Sequence, residues 1–278
     1  MLAFSRRLAR SCSTLALLGL APLLSACPTE DPPAETGTET DTGEPSCLDT
    51  DTPGPDIVIN SNADIQELQL SECVPETILI SGGQVTNLTP LSTLREVKTL
   101  DIRFNTNLTT LQGLENLIRV DTLIITGHPN MASLIEFSDL AQVDHIIVTG
   151  NSGLADLGSF PALSSLGGRL EISGNDALTD LSGFESLLSI NGGFDLTDQG
   201  MLLDFAGLEN LVSVGGTFRI EDNAMLESFD GLGVTNVGGD LRILTNEDLS
   251  ECLVDDYIAT VEVGAATVAS GNKEAICD

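Results

Sequence analysis

The sequence predicts a mainly β protein: a right-handed parallel β-solenoid over residues 57–278, with a repeat of about 23–24 residues per coil. Three observations predict it. A strand-like apolar pair recurs with its second residue at Ile102, Ile125, Val148, Ile172, Leu196, Ile220 and Ile243, in steps of 23, 23, 24, 24, 24 and 23. Behind each pair, apolar residues fall every third position, as at Leu178, Leu181 and Phe184, a spacing that suits neither an α-helix nor a strand. Between the two regimes stands a polar residue in constant register: Asn105, His128, Asn151, Asn175, Gln199, Asn223 and Asn246. One such unit cannot bury its apolar edge alone, whereas stacked units share a continuous core.

In chain order, residues 1–26 are not part of the fold. Arg6, Arg7 and Arg10 precede the run Leu15–Leu24, which at ten residues is too short to span a bilayer. Leu24-Ser25-Ala26-Cys27 resembles the lipobox of bacterial lipoproteins, a small-residue cleavage site directly before a cysteine. The resemblance implies that Cys27 becomes the acylated N-terminus and ties the protein to a membrane. Pro28 follows, where Asp is the usual inner-membrane retention signal, so an outer-membrane, surface-exposed lipoprotein is expected.

Residues 27–56 combine Pro, Thr, Gly and acids and cannot bury a core, so they read as an extended, self-repelling tether. Asp49 and Asp51 suggest a calcium loop, but Pro53 and Asn60 stand where further ligands would be needed. The chain carries a formal charge of −31, and loss of the leader leaves 8 basic against 42 acidic residues, or 8 − 42 = −34. Nucleic acid is excluded as a partner, because phosphate binding needs clustered Lys and Arg.

Within the solenoid, each strand is expected to stack on the next. The polar row is expected to satisfy inward-turned backbone groups, His128 included. Gly-Gly precedes the strand at 167–168, 192–193, 215–216 and 238–239, where a corner is expected to require φ > 0. Val97, Leu100, Ile102 and Asn105 resemble the LxxLxLxxN of leucine-rich repeats. The NxxL variant, with Gly113-Leu114 and Gly183-Phe184, looks like the receptor L domain of growth-factor receptor ectodomains, fungal wall proteins and bacterial lipoproteins. The opening segment 57–73 and the closing segment from Glu251 to Cys277 resemble that family's caps. The resemblance is specific for fold and weak for function.

Once the leader with Cys12 is removed, four cysteines besides Cys27 remain, and they allow three pairings. Joining Cys47 to Cys73 and Cys252 to Cys277 clips one cap at each end. Each bond then closes a loop of about 25 residues, worth roughly 3 kcal/mol on a chain-entropy account.

No zinc-spaced Cys/His cluster, phosphate-binding loop or GxSxG is present, and Ser270-x-x-Lys273 stands without partner motifs. A non-enzyme without cofactors is expected. What remains is the outward face of the sheet. It carries Ile124 and Ile147 as neighbours, His145 beside them, and the charged residues Arg169, Glu171, Arg219 and Arg242. Two readings follow: a recognition module that binds a protein, less readily a glycan, through this face, and a structural or adhesive envelope protein without a specific ligand. Phe104 and Tyr257 are the aromatics expected to be free for sugar stacking.

Overall fold

The computed structural model describes residues 56–68, 75–135 and 137–277. Cys27, the tether up to residue 55, Cys47 and Cys73 lie outside the described residues. The chain opens with β1 (Ile57–Ser61) and a short helix, α1 (Asn62–Glu67). Ser61 caps that helix, and Asp64 returns the bond to the cap, so the first turn is satisfied from both sides. Four eight-residue strands follow: β2 (Thr77–Gln84), β3 (Glu96–Arg103), β4 (Arg119–Thr126) and β5 (Gln142–Thr149).

From there each coil carries two shorter strands: β6 and β7 (Ser165–Leu166, Leu170–Ser173), β8 and β9 (Ser189–Ile190, Phe194–Thr197), β10 and β11 (Ser213–Val214, Phe218–Glu221). β12 and β13 (Asn236–Val237, Leu241–Leu244) complete this series. Helix α2 (Glu251–Ile258) and the strands β14 and β15 (Glu262–Val263, Thr267–Ser270) close the chain. All pairings are parallel and run coil to coil, so the fold is the predicted parallel solenoid.

The spacing of three has a hydrogen-bond cause. On the return path the chain closes i→i+3 turns, Leu178 N–H to Asn175 O at 3.0 Å, Phe184 N–H to Leu181 O at 3.0 Å and Leu187 N–H to Phe184 O at 2.9 Å, while between them Leu181 N–H donates to Ala206 O of the next coil at 2.8 Å. A backbone with three residues per turn points every third side chain the same way. Those side chains are buried coil after coil, and several aromatics stack along the axis. Phe137, Phe160 and Phe184 sit 5.0 and 5.1 Å apart, and Phe194 lies 5.0 Å from Phe218. That spacing matches the roughly 4.8 Å between paired strands.

The polar row repeats one side-chain bond to the preceding coil in every rung, although the buried Asn105 Oδ1 and Gln199 Oε1 have no partner of their own among the described residues. The side-chain amide of Asn105 donates to Ile80 O, Asn151 to Ile125 O, Asn175 to Val148 O, Gln199 to Ile172 O, Asn223 to Leu196 O and Asn246 to Ile220 O, at 2.9–3.1 Å. His128 Nε2 takes the same place against Ile102 O at 3.0 Å. Each rung is buried. Asn272 adds a rung that the repeat did not reveal, donating to Ile243 O at 3.1 Å. It follows Asn246 by a step of 26, longer than any earlier step, and Ala269 of the same coil pairs with Ile243.

The Gly-Gly corners form for a different reason than the one expected. None of these eight glycines has positive φ. Their coils approach so closely that a Cβ would meet the neighbouring coil: side chains of Asp144 and His145 at Gly167 and Gly168, and backbone further on, 2.7 Å from Gly168 O at Gly192 and 2.8 Å from Gly192 C at Gly216. The positive-φ column lies two residues past each anchor instead, at Gly127, Gly150 and Gly174 and also at Phe104, Asp198, Asp222 and Thr245.

Candidate binding face

The outward face of the sheet is an ordered array. One row runs Leu79, Asp101, Ile124, Ile147, Glu171, Asp195, Arg219, Arg242 and Val268, each paired in register with the next. Ile124 and Ile147 are therefore direct neighbours, as expected, and each is half-buried. In the next row, the Thr126 and Thr149 hydroxyls lie 2.9 Å apart, and Thr197 Oγ1 donates to Ser173 Oγ at 2.9 Å.

The arginines of this face are not free. Arg103 pairs with Asp101, whose carboxylate is almost wholly buried, and Arg169 pairs with Glu171. Arg219 lies 3.5 Å from Asp195 and 3.6 Å from Glu221, and Arg242 lies 3.1 Å from Glu221. Alternate acids and bases along one strand and across its neighbour thus neutralise one another. Half-exposed pairs of this kind contribute about 0–1 kcal/mol each. Their larger effect is on recognition, since each guanidinium meets a partner with its charge already offset by a neighbouring carboxylate.

His145 has a defined position. Its Nδ1 accepts the N–H of Arg169 at 3.1 Å, and its ring lies against Gly168, where an added Cβ would strike it. That bond exists because the sheet breaks here. β4 and β5 run unbroken past the corner, whereas the next coil inserts one residue and splits into β6 and β7. The mismatch opens a cleft of about 300 Å³ lined by Arg119, Asp121, Gln142, Asp144, Ser165 and Gly167, with Ala141 and Val143 behind. Arg119 is 3.1 Å from Asp121 within it.

Sequence reading missed this cleft. Its signal was present as the lengthening of the repeat by one residue between Val148 and Ile172, together with the first Gly-Gly at 167–168.

The two aromatics expected to be free behave differently. Phe104 is 61% exposed and sits in the positive-φ column with its ring beside Gly127. Tyr257 is not free: its ring stacks on Phe229 at 4.4 Å and its hydroxyl donates to Val234 O at 3.2 Å. Burial pushes its phenol well above the ordinary value. It completes the C-terminal end of the core. Cys252 and Cys277 form the expected C-terminal disulfide, with Cα atoms 5.4 Å apart.

Two carboxylates have shifted equilibria. Asp64 is held below the usual range by the Asn60 N–H, the Ser61 hydroxyl and the Ser61 N–H. Asp198 is pushed up by burial and by the neighbouring Asp222 and Asp176. Among the described residues no group of three or more His, Cys, Asp or Glu is arranged to hold a metal, and no helix is long and apolar enough to cross a membrane. Set against known protein families, curated proteins and solved structures, the chain matches none.

Proposed function

We propose that this protein is a non-enzymatic, lipid-anchored recognition module of the bacterial outer surface. It binds a protein ligand through the sheet face centred on Ile124 and Ile147. The observation that carries this reading is the break in the sheet at β5. It sets a polar cleft beside a half-buried isoleucine pair, with His145 between them on the same strand. An apolar centre rimmed by polar groups is a common composition for a protein interface.

The paired arginines move the site away from Arg219 and Arg242 and toward β4 and β5, where the apolar pair and the cleft adjoin. A glycan is the weaker candidate, because Tyr257 is committed to the core and Phe104 stands alone. Lipidation at Cys27 rests on the lipobox resemblance, and the L-domain relationship rests on the repeat and its caps. Both histidines have structural partners, which supports a chain without catalysis.

The internal neutralisation of the arginine rows favours a second reading, a structural or adhesive envelope protein whose face needs no ligand.

Cross-linking on intact cells, followed by identification of the captured neighbour, supplies the partner. Ile124→Asp with Ile147→Asp is expected to abolish capture at a cost of about 1 kcal/mol per substitution, because both positions are half-buried and face Asp101 and Glu171, with circular dichroism confirming that the fold persists. Normal capture by the double variant, with loss only on changing Asp156 or Asp180 on the return path, defeats the sheet reading. If neither face matters, the structural reading stands. Cys27→Ala is expected to release the protein from membranes or to stall its processing, and wild-type protein that takes up no radiolabelled fatty acid refutes the anchor.

A further inference from the structure

The two ends of the described solenoid are finished differently. At the N-terminal end, Asp64 engages the N–H groups of Asn60 and Ser61 at the close of β1, and the strand is preceded by Asp56 and followed in α1 by Asp64 and Glu67. The inward Ile59 and Ile65 are fully covered. At the C-terminal end, among the described residues, β15 pairs with β13 alone and β14 with β12 alone.

In each earlier coil, alternate strand residues bond forward to the next coil, as Leu241 N–H does to Ala266 O and Thr245 N–H to Ser270 O. The residues of β15 and its exit in the same places are Thr267, Ala269 and Gly271, and their N–H and C=O groups turn to the open side. Thr267 and Ala269 also continue the inward rows of Leu241 and Ile243, yet both are exposed, while every earlier member of those rows from β2 onward is buried.

Exposed strand edges are ordinarily protected by a charge, a proline or a bulge, because unpaired backbone groups template pairing with another chain. Here the ten residues from Val263 to Asn272 contain no charge and no proline. That neutrality selects the partner. In a chain of net charge −31, two copies repel at almost any acidic contact, and this end lets them meet with little repulsion.

We propose that β15 is a self-association edge, and that two copies of this chain join end to end through antiparallel pairing of their β15 strands about a two-fold axis. Ala269 then faces Ala269 of the partner subunit, in a pair that exchanges both backbone bonds at a Cα separation of about 5.5 Å. The exposed inward rows of the two copies cover each other, and one sheet and one core run through both molecules. A two-fold contact of this kind closes on itself and builds no filament. This proposal is independent of any ligand on the sheet face.

The test is disulfide trapping of the full chain in the membranes of producing cells. Ala269→Cys places two thiols at a separation that a disulfide spans. Oxidation is expected to convert most of the chain to a band of doubled mass that reduction reverses. Adding Thr267→Lys, which sets a like charge on each edge, is expected to cut that band at least tenfold. Should Thr267→Lys prove protease-sensitive, Ile124→Cys serves as the folded, non-trapping control and Ala269→Pro, which removes an outward N–H only, serves as the blocking change. An Ala269→Cys chain that resists protease but stays monomeric overturns the proposal. So does a cross-link between Val268→Cys of one copy and Val58→Cys of the other, two positions of one outward row, which is the signature of head-to-tail stacking on β1.

Discussion

Replacing Asn175 by alanine tests what the buried ladder contributes. The Asn175 amide donates to Val148 O at 3.0 Å, and its Oδ1 accepts the Asn151 N–H and the Asn151 side-chain amide, each at 3.2 Å. The side chain is fully buried. Alanine leaves the Asn151 N–H and one face of the Val148 carbonyl without partners and away from water. At about 1–3 kcal/mol for each of these two buried groups left unpaired, the expected loss is about 2–6 kcal/mol.

Asn210 supplies the control. Its amide makes an equivalent inter-coil bond to Glu185 O at 2.9 Å, but in the open. Water replaces that bond, so Asn210→Ala is expected to cost about 0.5 kcal/mol or less. Equilibrium urea unfolding followed by circular dichroism separates the two, provided the slope against urea is unchanged. If Asn175→Ala loses no more stability than Asn210→Ala, the ladder is not what satisfies the interior backbone, and the reasoning about all its rungs falls with it.

Gly192→Ala drives a Cβ to 2.7 Å from Gly168 O, and overpacking of this kind is expected to cost about 1–3 kcal/mol with a matching fall in Tm. Gly168→Ala should behave alike, by displacing His145, and an unchanged Tm for both would refute the close-stacking account of the corners. Asp198→Asn is expected to raise Tm near neutral pH and to lose that advantage in acid. A carboxyl with a raised folded-state pKa opposes folding once it is ionised and ceases to do so when protonated, so a pH-independent gain would contradict the cause assigned to the shift. Cys252→Ser opens a cross-link of sequence separation 25 and is expected to cost about 3 kcal/mol, with hydrogen-exchange protection lost first in α2 and β15.

The solenoid was legible because its signal is repeated. Any single Leu–x–Ile strand is ambiguous, but seven in register, each with an amide or imidazole three residues on, admit few other folds. The final coil escaped notice because Ala269 stands where the earlier coils have Ile, Leu or Val and because its step is longer than theirs, although Asn272 kept the amide in place. The corner glycines were recognised and their cause misassigned: the demand for glycine comes from a neighbouring coil, which one coil's sequence does not contain. Tyr257 looked free because its partner Phe229 belongs to the preceding coil and meets it only after stacking.

Sequence alone determined the repeat, the inward rows, the amide ladder with His128 as a member and the pairing of Ile124 with Ile147, since each depends on spacing along the chain and on alternation about a strand. Tertiary structure decided what depends on how unequal coils meet. The insertion after β5 shifts one coil against the next and opens the cleft at Gln142, Asp144 and Gly167. Stacking also brings Arg219 between Asp195 and Glu221 and Arg242 onto Glu221, so that charges which look available to a partner are already answered. Coulomb attraction acts through space over a few ångströms, and groups it joins here, such as Glu221 and Arg242, lie a whole coil apart in the chain.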